Sequence, residues 1–424
     1  MSNQKESKPM PIGKDLKPRL RFPSFQAAWK SSLMSTIYSF KGNNSLSRNK
    51  LNYTSGIFKN IHYGDIHTRF SKYFHANIEQ VPYINNGESH PTIRTENYCI
   101  AGDMVFADAS EDIIDIGKAI EIIDAGSIPL VSGLHTILAR PKRNHFTIGF
   151  GAYLFSSEGI RKQIRRESQG CKVLSLSPSR LGNVLLYFPK ALEEQQKIIG
   201  CLSSLDNLIA ARSRRLDNLK TYKKGLMQQL FPTESNTMPR LRFPEFRDAS
   251  EWARKTLSDV CKKITNGKAN AEDHEEDGVY PLFDRSDVIK RSNDFAFNDE
   301  AVIIPGEGVR FHPKYYQGKF NLHQRCYALI QHKGNAKFIY YTLDYFKDAL
   351  AKYAVKSTVL SLRLPIIENF ILNIPRKDEQ QKIANCLSSL DDLIAAENRR
   401  LDNLKAHKKG LMQQLFPTMN EVNT

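Results

Sequence analysis

Residues 194–233 read EQQKIIGCLSSLDNLIAARSRRLDNLKTYKKGLMQQLFPT, and residues 379–418 read EQQKIANCLSSLDDLIAAENRRLDNLKAHKKGLMQQLFPT. Thirty-three of the forty positions are identical at a constant offset of 185. A repeat this long sets the architecture, because each copy must fill an equivalent structural place. In the first copy Ile198, Leu202, Leu205, Ile209, Leu216, Leu219, Leu226 and Leu230 alternate spacings of four and three, with Arg212 and Lys223 as polar members of the same seam. This is the a/d pattern of a coiled coil, and Ile383 through Leu415 reproduce it. Forty such residues predict a rod of roughly 60 Å at about 1.5 Å per residue. Gly225 and Gly410 weaken the last turns, and Pro232 and Pro417 stop each helix. Each seam needs a partner. Mutual packing as an antiparallel pair with pseudo-twofold symmetry is the economical solution, and separate packing of each helix on its own domain is the alternative. In the antiparallel pair Arg212 and Glu397, which share one repeat position, approach each other.

Shorter matches frame what precedes each helix. PRLRFPSF at 18–25 returns as PRLRFPEF at 239–246, followed by Trp29 and Trp252. VLSL at 173–176 returns at 359–362, leading into apolar runs that end at Pro189 and Pro375. Between these marks the copies diverge: 31–172 and 253–358 differ in length by 36 residues and share no obvious motif. The division is therefore a tail (1–17), a first domain (18–190), a central helix (191–236), a second domain (237–375), a distal helix (376–418) and a short tail (419–424).

Both inserts read as α+β. The first has strand-like runs at 97–101, 104–107, 128–131 and 136–139 and a helix at 154–168, which places Arg161, Lys162 and Arg165 near one exposed face. The second has strands at 301–305 and 326–330 and a helix near 338–353. Two loops mix bases with aromatics as nucleic-acid contacts do. YGDIHTRFSKYF at 63–74 supplies His67, Thr68, Arg69 and Lys72. GVRFHPKYYQGKFNLHQR at 308–325 supplies Arg310, Lys314, Tyr316, Lys319, Asn321, Gln324 and Arg325. Arg and Lys pair with guanine edges or phosphates, and Asn or Gln with adenine. Ser110 in FADASED, Lys268 and Arg285 complete the candidate DNA-contacting set, for which solvated loop residues are the plain alternative. Ordinary turn chemistry accounts equally well for FADASED at 106–112 and GEG at 306–308.

The formal net charge of +16 is spread along the chain, and it points to a polyanionic partner. Hydrophobic content of 41% and charged content of 25% suit a globular protein in water. The six cysteines form no CxxC pair, so neither a zinc site nor a disulfide framework is suggested. The acidic run AEDHEED at 271–277 lacks calcium-loop spacing and reads as a solvated loop. With no signal-like segment and no run of 18 apolar residues, a cytoplasmic chain without membrane contact is expected. No GxxxxGK(S/T), HExxH or GxSxG is present. An (Asn/Asp)-Pro-Pro-aromatic motif, which an amino-group DNA methyltransferase needs, is also absent, so no catalytic residue is assigned.

Two inserts entered through RLRFP-F and left through an apolar run ending in Pro, each followed by EQQKI and its long helix, resemble the specificity subunit of Type I restriction-modification systems. The resemblance spans nearly the whole chain, and the helical repeats carry it. It implies two α+β target recognition domains separated by an antiparallel pair of long helices. Each domain would read one half of a bipartite site in double-stranded DNA. The helices would set the unread spacer and dock two modification subunits, with Leu226, Leu230, Phe231, Leu411, Leu415 and Phe416 as candidate docking residues. Two restriction subunits would complete the assembly. S-adenosylmethionine, ATP and Mg would belong to those partners and none to this chain, which would itself be non-catalytic within an adenine-methylating, ATP-dependent cleaving complex. The other readings open to the residues are a coiled-coil scaffold binding only proteins and part of a fused restriction-modification enzyme.

Overall fold

Each insert leaves the frame beside the place where it entered. The strand Lys30–Leu33 pairs antiparallel with Leu185–Phe188, and Ala253–Thr256 pairs antiparallel with Ile371–Ile374. The apolar runs ending in Pro189 and Pro375 are thus closing strands. An insert held at its mouth can change length without moving the frame. The computed structural model describes residues 17–417 apart from 86, 88–92, 144, 235, 309 and 356–358. Most of the expected N-terminal tail, Thr418 and the C-terminal tail lie outside the described residues.

The chain divides into two compact units, one comprising residues up to 210 with 402 onward, the other comprising 211–401. Each unit holds one insert and a part of both long helices, the central helix Leu192–Leu230 and the distal helix Lys377–Leu415.

In the first unit a five-stranded sheet runs Tyr38–Lys41, Thr136–Pro141, Met104–Ala107, Ala119–Asp124, Tyr73–His75, antiparallel but for the last pair. A four-stranded sheet lies in order Leu130–Ser132, Lys59–Ile61, Tyr83–Ile84, Leu51–Asn52. In the second unit one six-stranded sheet runs Cys261–Asn266, Cys326–His332, Phe297–Pro305, Lys314–Leu322, Tyr280–Phe283, Lys290–Ser292. The predicted strands at 104–107 and 136–139 are present, and those at 301–305 and 326–330 lie within longer ones.

Three expectations need correction. The run 97–101 is no strand: Thr95–Asn97 is a 3-10 turn, only Tyr98 bridges to Val131, and Gly102 turns the chain at φ +89°. The helix expected at 154–168 is two, Phe150–Leu154 and Glu158–Glu167, because Ser157 takes an extended backbone before the second. The helix expected near 338–353 is likewise two, Ala336–Tyr345 and Lys347–Lys352, meeting at Phe346.

The long helices run antiparallel in both units. In the first, Ile198 and Leu202 near the start of the central helix share a core with Leu415 and Phe416 at the end of the distal one. In the second, Met227, Leu230 and Phe231 share a core with Ile383, Ala384 and Leu387. Both cores also contain domain residues, so mutual packing and packing on the domains coexist. Matching backbone bonds tie each RLRFP segment to a helix end, Leu20 N–H to the Gln414 carbonyl (3.0 Å) and Leu241 N–H to the Gln229 carbonyl (2.9 Å).

Arg212 donates to both carboxylate oxygens of Glu397 at 3.1 and 3.3 Å. Glu397 is buried while Arg212 keeps about a third of its side chain exposed, at 32%. An isolated carboxylate there would be left desolvated. Arg212→Glu alone is expected to cost about 1–3 kcal/mol, the penalty of a buried polar group without its partner. Combining it with Glu397→Arg should recover most but not all of the loss, because Arg400 lies 3.7 Å from Glu397 and would then face a like charge. Urea denaturation of the three variants checks this, and a double variant no more stable than Arg212→Glu contradicts it.

Candidate nucleic-acid interface

In the first domain the candidates sit on and after a short helix, Tyr63–Thr68, whose start is capped by the His62 ring accepting from Gly64 N–H. The buried Asp65 binds Arg48 through two 2.8 Å bonds, and that hydrogen-bonded carboxylate raises the Arg48 pKa. Arg69 lies on the surface but is held: it donates to Tyr53 Oη at 2.6 Å and Gln80 Oε1 at 2.8 Å, with its guanidinium 5.1 Å from the Tyr53 ring centre. Thr68 spends its hydroxyl on the Gly64 carbonyl. His67 binds the Ala109 carbonyl through Nε2, while its buried Nδ1 has no partner among the described residues. Ser110 Oγ closes a turn with both backbone groups of Asp112.

Two of the expected DNA contacts are committed elsewhere. Lys72 pairs with Asp206 of the central helix at 3.0 Å and lies 3.8 Å from the Tyr153 ring centre. Burial, then the nearby Lys408 charge, push its pKa down to about 8. It anchors the domain to the helix. Arg161 donates to the carbonyls of Gly117, Ile114 and Ile116 at 2.6–2.7 Å, and burial lowers its pKa to about 10. The expected exposed trio thus reduces to Lys162, free on the surface, and Arg165, paired with Glu158 at 2.5 Å.

A feature the sequence reading missed surrounds Tyr63, whose ring centre lies 4.8, 6.1 and 5.2 Å from those of His62, His67 and His135. His135 adopts φ +54° and contacts Asp108 at 3.1 Å. Histidine is among the side chains that enter the left-handed region most readily, so the turn holds it there without unusual cost. Nothing in the sequence around Gly133 and Leu134 signals it.

In the second domain the structure brings together four loops: 266–270, 284–290, 306–307 and 323–325. The turn after strand Lys314–Leu322 is fixed by Cys326 N–H to the His323 carbonyl and by Gln324 N–H to the Ala269 carbonyl, both 2.9 Å. Arg325 donates to both oxygens of Glu307 at 2.5 and 2.6 Å. Lys268, Arg285 and Arg310 are exposed, and Lys319 lies over the Phe295 ring at 4.6 Å. His323 has its pKa lowered by burial first, then by the charges of Arg325, Arg285 and Lys290, partly offset by Asp284. Asn266, Asn270, Glu307 and His323 belong to this cluster and were missed, because the pairing of 269 with 323 joins segments more than fifty residues apart.

Two expected contacts in this domain also need correction, and a third is partly packed away. Asn321 is buried, its amide donating to Ser292 Oγ and its oxygen accepting from Leu322 N–H, so no base can reach it. Lys314 is turned inward to the Ser286 and Asp284 carbonyls. Tyr316 packs against Phe283 and Phe320.

The expected docking residues are displaced as well. Leu230, Phe231, Leu415 and Phe416 are buried, and Leu226 and Leu411 pack against the same cores. Phe416 meets Trp29 edge-on at 6.1 Å, and Phe231 meets Trp252 at 6.5 Å. Leu230, Phe231, Leu415 and Phe416 close the units and leave no surface for a partner, while Leu226 and Leu411 stay half-exposed at the edges of those cores. Phe231→Ala and Phe416→Ala should therefore each cost about 3–5 kcal/mol. Thermal melting checks this: an unshifted midpoint in either variant would show that its ring is not part of a core.

Comparison with known proteins follows this geometry. Residues 249–406 match the family described as Type I restriction modification DNA specificity domain. Over 344 residues the chain is 24% identical to a putative Type I restriction enzyme MjaX specificity subunit of Methanocaldococcus jannaschii, covering 77% of this chain and 80% of that protein. It is 25% identical over 293 residues to the MjaVIII specificity subunit of the same organism, covering 62% and 69% respectively. Its fold is similar to the crystal structure of a Type-I restriction-modification system S subunit from M. genitalium, with a TM-score of 0.63 at 14% identity, covering 95% of this chain and all of that one. Among the described residues no helix is long and apolar enough to cross a membrane.

Proposed function

Because this chain belongs to the specificity subunits of Type I restriction-modification systems, the DNA-recognising and non-catalytic members of their complexes, we propose that its two inserts are independent readers of the two halves of one asymmetric site. The observation that carries the reading is the pairing of unlike inserts with a like frame. The frame repeats single hydrogen bonds, whereas the sheets of the two inserts differ in number, strand count and strand order. A protein-only scaffold has no need of two divergent, cation-bearing loop clusters.

The long helices are the docking surface for the modification subunits, on faces other than their buried ends. Identity between the two copies extends to exposed positions that packing does not constrain: Leu208, Arg214, Arg215, Lys220 and Lys224 recur as Leu393, Arg399, Arg400, Lys405 and Lys409, all exposed. Two equivalent faces call for two copies of one partner. S-adenosylmethionine belongs to that partner, and ATP and Mg to the restriction subunits, with this chain binding none of them. A cytoplasmic location follows from the same role.

Replacing residues 31–172 by the insert of another member, and sequencing the methylome of a host carrying the hybrid with its modification subunit, should alter one half of the methylated motif only. A change in both halves would sink independent reading.

A second experiment tests the helices as a ruler. Four residues inserted after Ala211 and again after Ala396 lengthen both rods by roughly 6 Å at about 1.5 Å per residue. At about 3.4 Å per base pair the unread spacer should grow by about one to two base pairs, with both half-sites intact. An active variant with an unchanged spacer would mean that the partners position the two domains.

A further inference from the structure

Gln324 is exposed, yet its position is fixed through three of its polar groups. Its backbone N–H donates to the Ala269 carbonyl at 2.9 Å. Its carbonyl accepts from Asn266 Nδ2 at 3.3 Å. Its side-chain Nε2 donates to Asn270 Oδ1 at 2.7 Å. Holding an exposed, rotamer-rich side chain in one orientation costs conformational entropy, and a solvent-facing amide bond returns little. That cost is useful where a ligand must meet a preorganised group.

The amide has two N–H donors and a carbonyl oxygen. One N–H is taken by Asn270. The other N–H and Oε1 have no partner among the described residues, and together they offer one donor beside one acceptor. The major-groove edge of adenine presents the complement, an N7 acceptor beside an N6 amino donor. The surroundings suit a polyanion: Arg285 and Lys268 are exposed, and Arg325 stands beside the turn with its guanidinium oriented by Glu307. Asn321, the other residue of this segment that the sequence offered for adenine, is buried and excluded.

We propose that Gln324, oriented by Asn270, reads the major-groove edge of one adenine in the half-site recognised by the second domain, with Lys268 and Arg285 on flanking phosphates. Asn270 is then a positioning residue that touches Gln324 and not the base. The inference rests on the two-reader function proposed above.

The test uses the assembled complex of this chain with its modification subunits. The half-site belonging to the second domain is first identified by exchanging residues 253–358. Methylome sequencing with Q324A should then show one A·T pair of that half-site become degenerate, all other positions unchanged. Competition binding with duplexes altered at that pair should show discrimination falling by about 5- to 150-fold, the range that ~1–3 kcal/mol of base contact spans at about 1.4 kcal/mol per tenfold. N270A should relax the same pair to a smaller degree. Q324E, which keeps an acceptor but loses the amide donors, should also relax it, and it decides the matter if Q324A fails to fold. A full-strength, unchanged motif in Q324A and Q324E overturns the inference, as does relaxation at a G·C pair. If exchanging residues 253–358 leaves both half-sites unaltered, the two-reader function itself fails; if the exchange succeeds and Gln324 variants are silent, only the present inference does.

Discussion

The frame depends on a buried carboxylate at the head of each long helix. Glu194 accepts from Arg21 Nε and Nη2 at 2.7 Å, and Glu379 accepts from Arg242 Nε and Nη2 at 2.8 and 2.6 Å. Both carboxylates are almost wholly withdrawn from water. A lone charge in such a place is destabilising by about 3–5 kcal/mol, so the arginine of each RLRFP segment cannot be absent or elsewhere. The adjacent glutamines extend the same logic into the inserts. Gln195 donates to the Pro189 carbonyl and accepts from Thr147 N–H, and Gln380 donates to the Pro375 carbonyl and accepts from Asn335 N–H. The Glu-Gln pair that opens each repeat is thus the knot joining entry segment, exit strand, insert and helix. The copies differ at the tryptophan: Trp29 Nε1 donates to Glu194 at 3.0 Å, whereas Trp252 Nε1 is buried with no partner among the described residues.

A second set of charges explains why polar residues interrupt the apolar seam. Lys223 pairs with Asp391 at 2.6 Å, and Tyr341 of the second domain donates to the same carboxylate at 2.6 Å. Lys408 pairs with Asp206, to which Tyr153 of the first domain donates at 2.9 Å. Each cluster takes a lysine from one helix, an aspartate from the other and a tyrosine from a domain. Polar groups in a seam cost stability but specify register, because a slipped pairing would strand them. Here they specify the seating of the domain too. Burial alone would raise the Asp206 carboxyl, but the Lys408 hydrogen bond, then Lys72 and last Tyr153, together hold it below the usual range.

The repeat, the two helices and the approach of Arg212 to Glu397 were legible because each leaves a one-dimensional trace: identity at fixed offset, a period of three and four, or a charge difference between copies. The reading of single loop residues was much poorer. Lys72, Arg161 and Lys314 look like free cations in sequence, but their fates depend on which carbonyl or carboxylate the fold brings near. Asn321 and Gln324 stand three residues apart with the same side-chain chemistry, and only strand geometry separates the buried one from the exposed one. The apolar residues at the helix ends suggested a surface for partners for a related reason. A hydrophobic stripe shows that something covers it, and here the covering element is the chain's own Trp29 or Trp252.

The two candidate surfaces differ in chemistry as well as in fold. In the first domain, the imidazoles of His62, His67 and His135 gather around Tyr63, with Arg69 held on Tyr53. In the second, amides and guanidinium groups converge on the turn at Gln324, braced by Asn270 and Glu307. In the first the candidates sit on and just after the short helix Tyr63–Thr68, and in the second Gln324 sits on the turn between the strands Lys314–Leu322 and Cys326–His332. Because each insert begins and ends on paired strands of the shared frame, loop chemistry can diverge without disturbing the knots at Glu194 and Glu379. The two units thereby carry unlike groups on an equivalent frame, which is the physical condition on which the proposed reading of an asymmetric site depends.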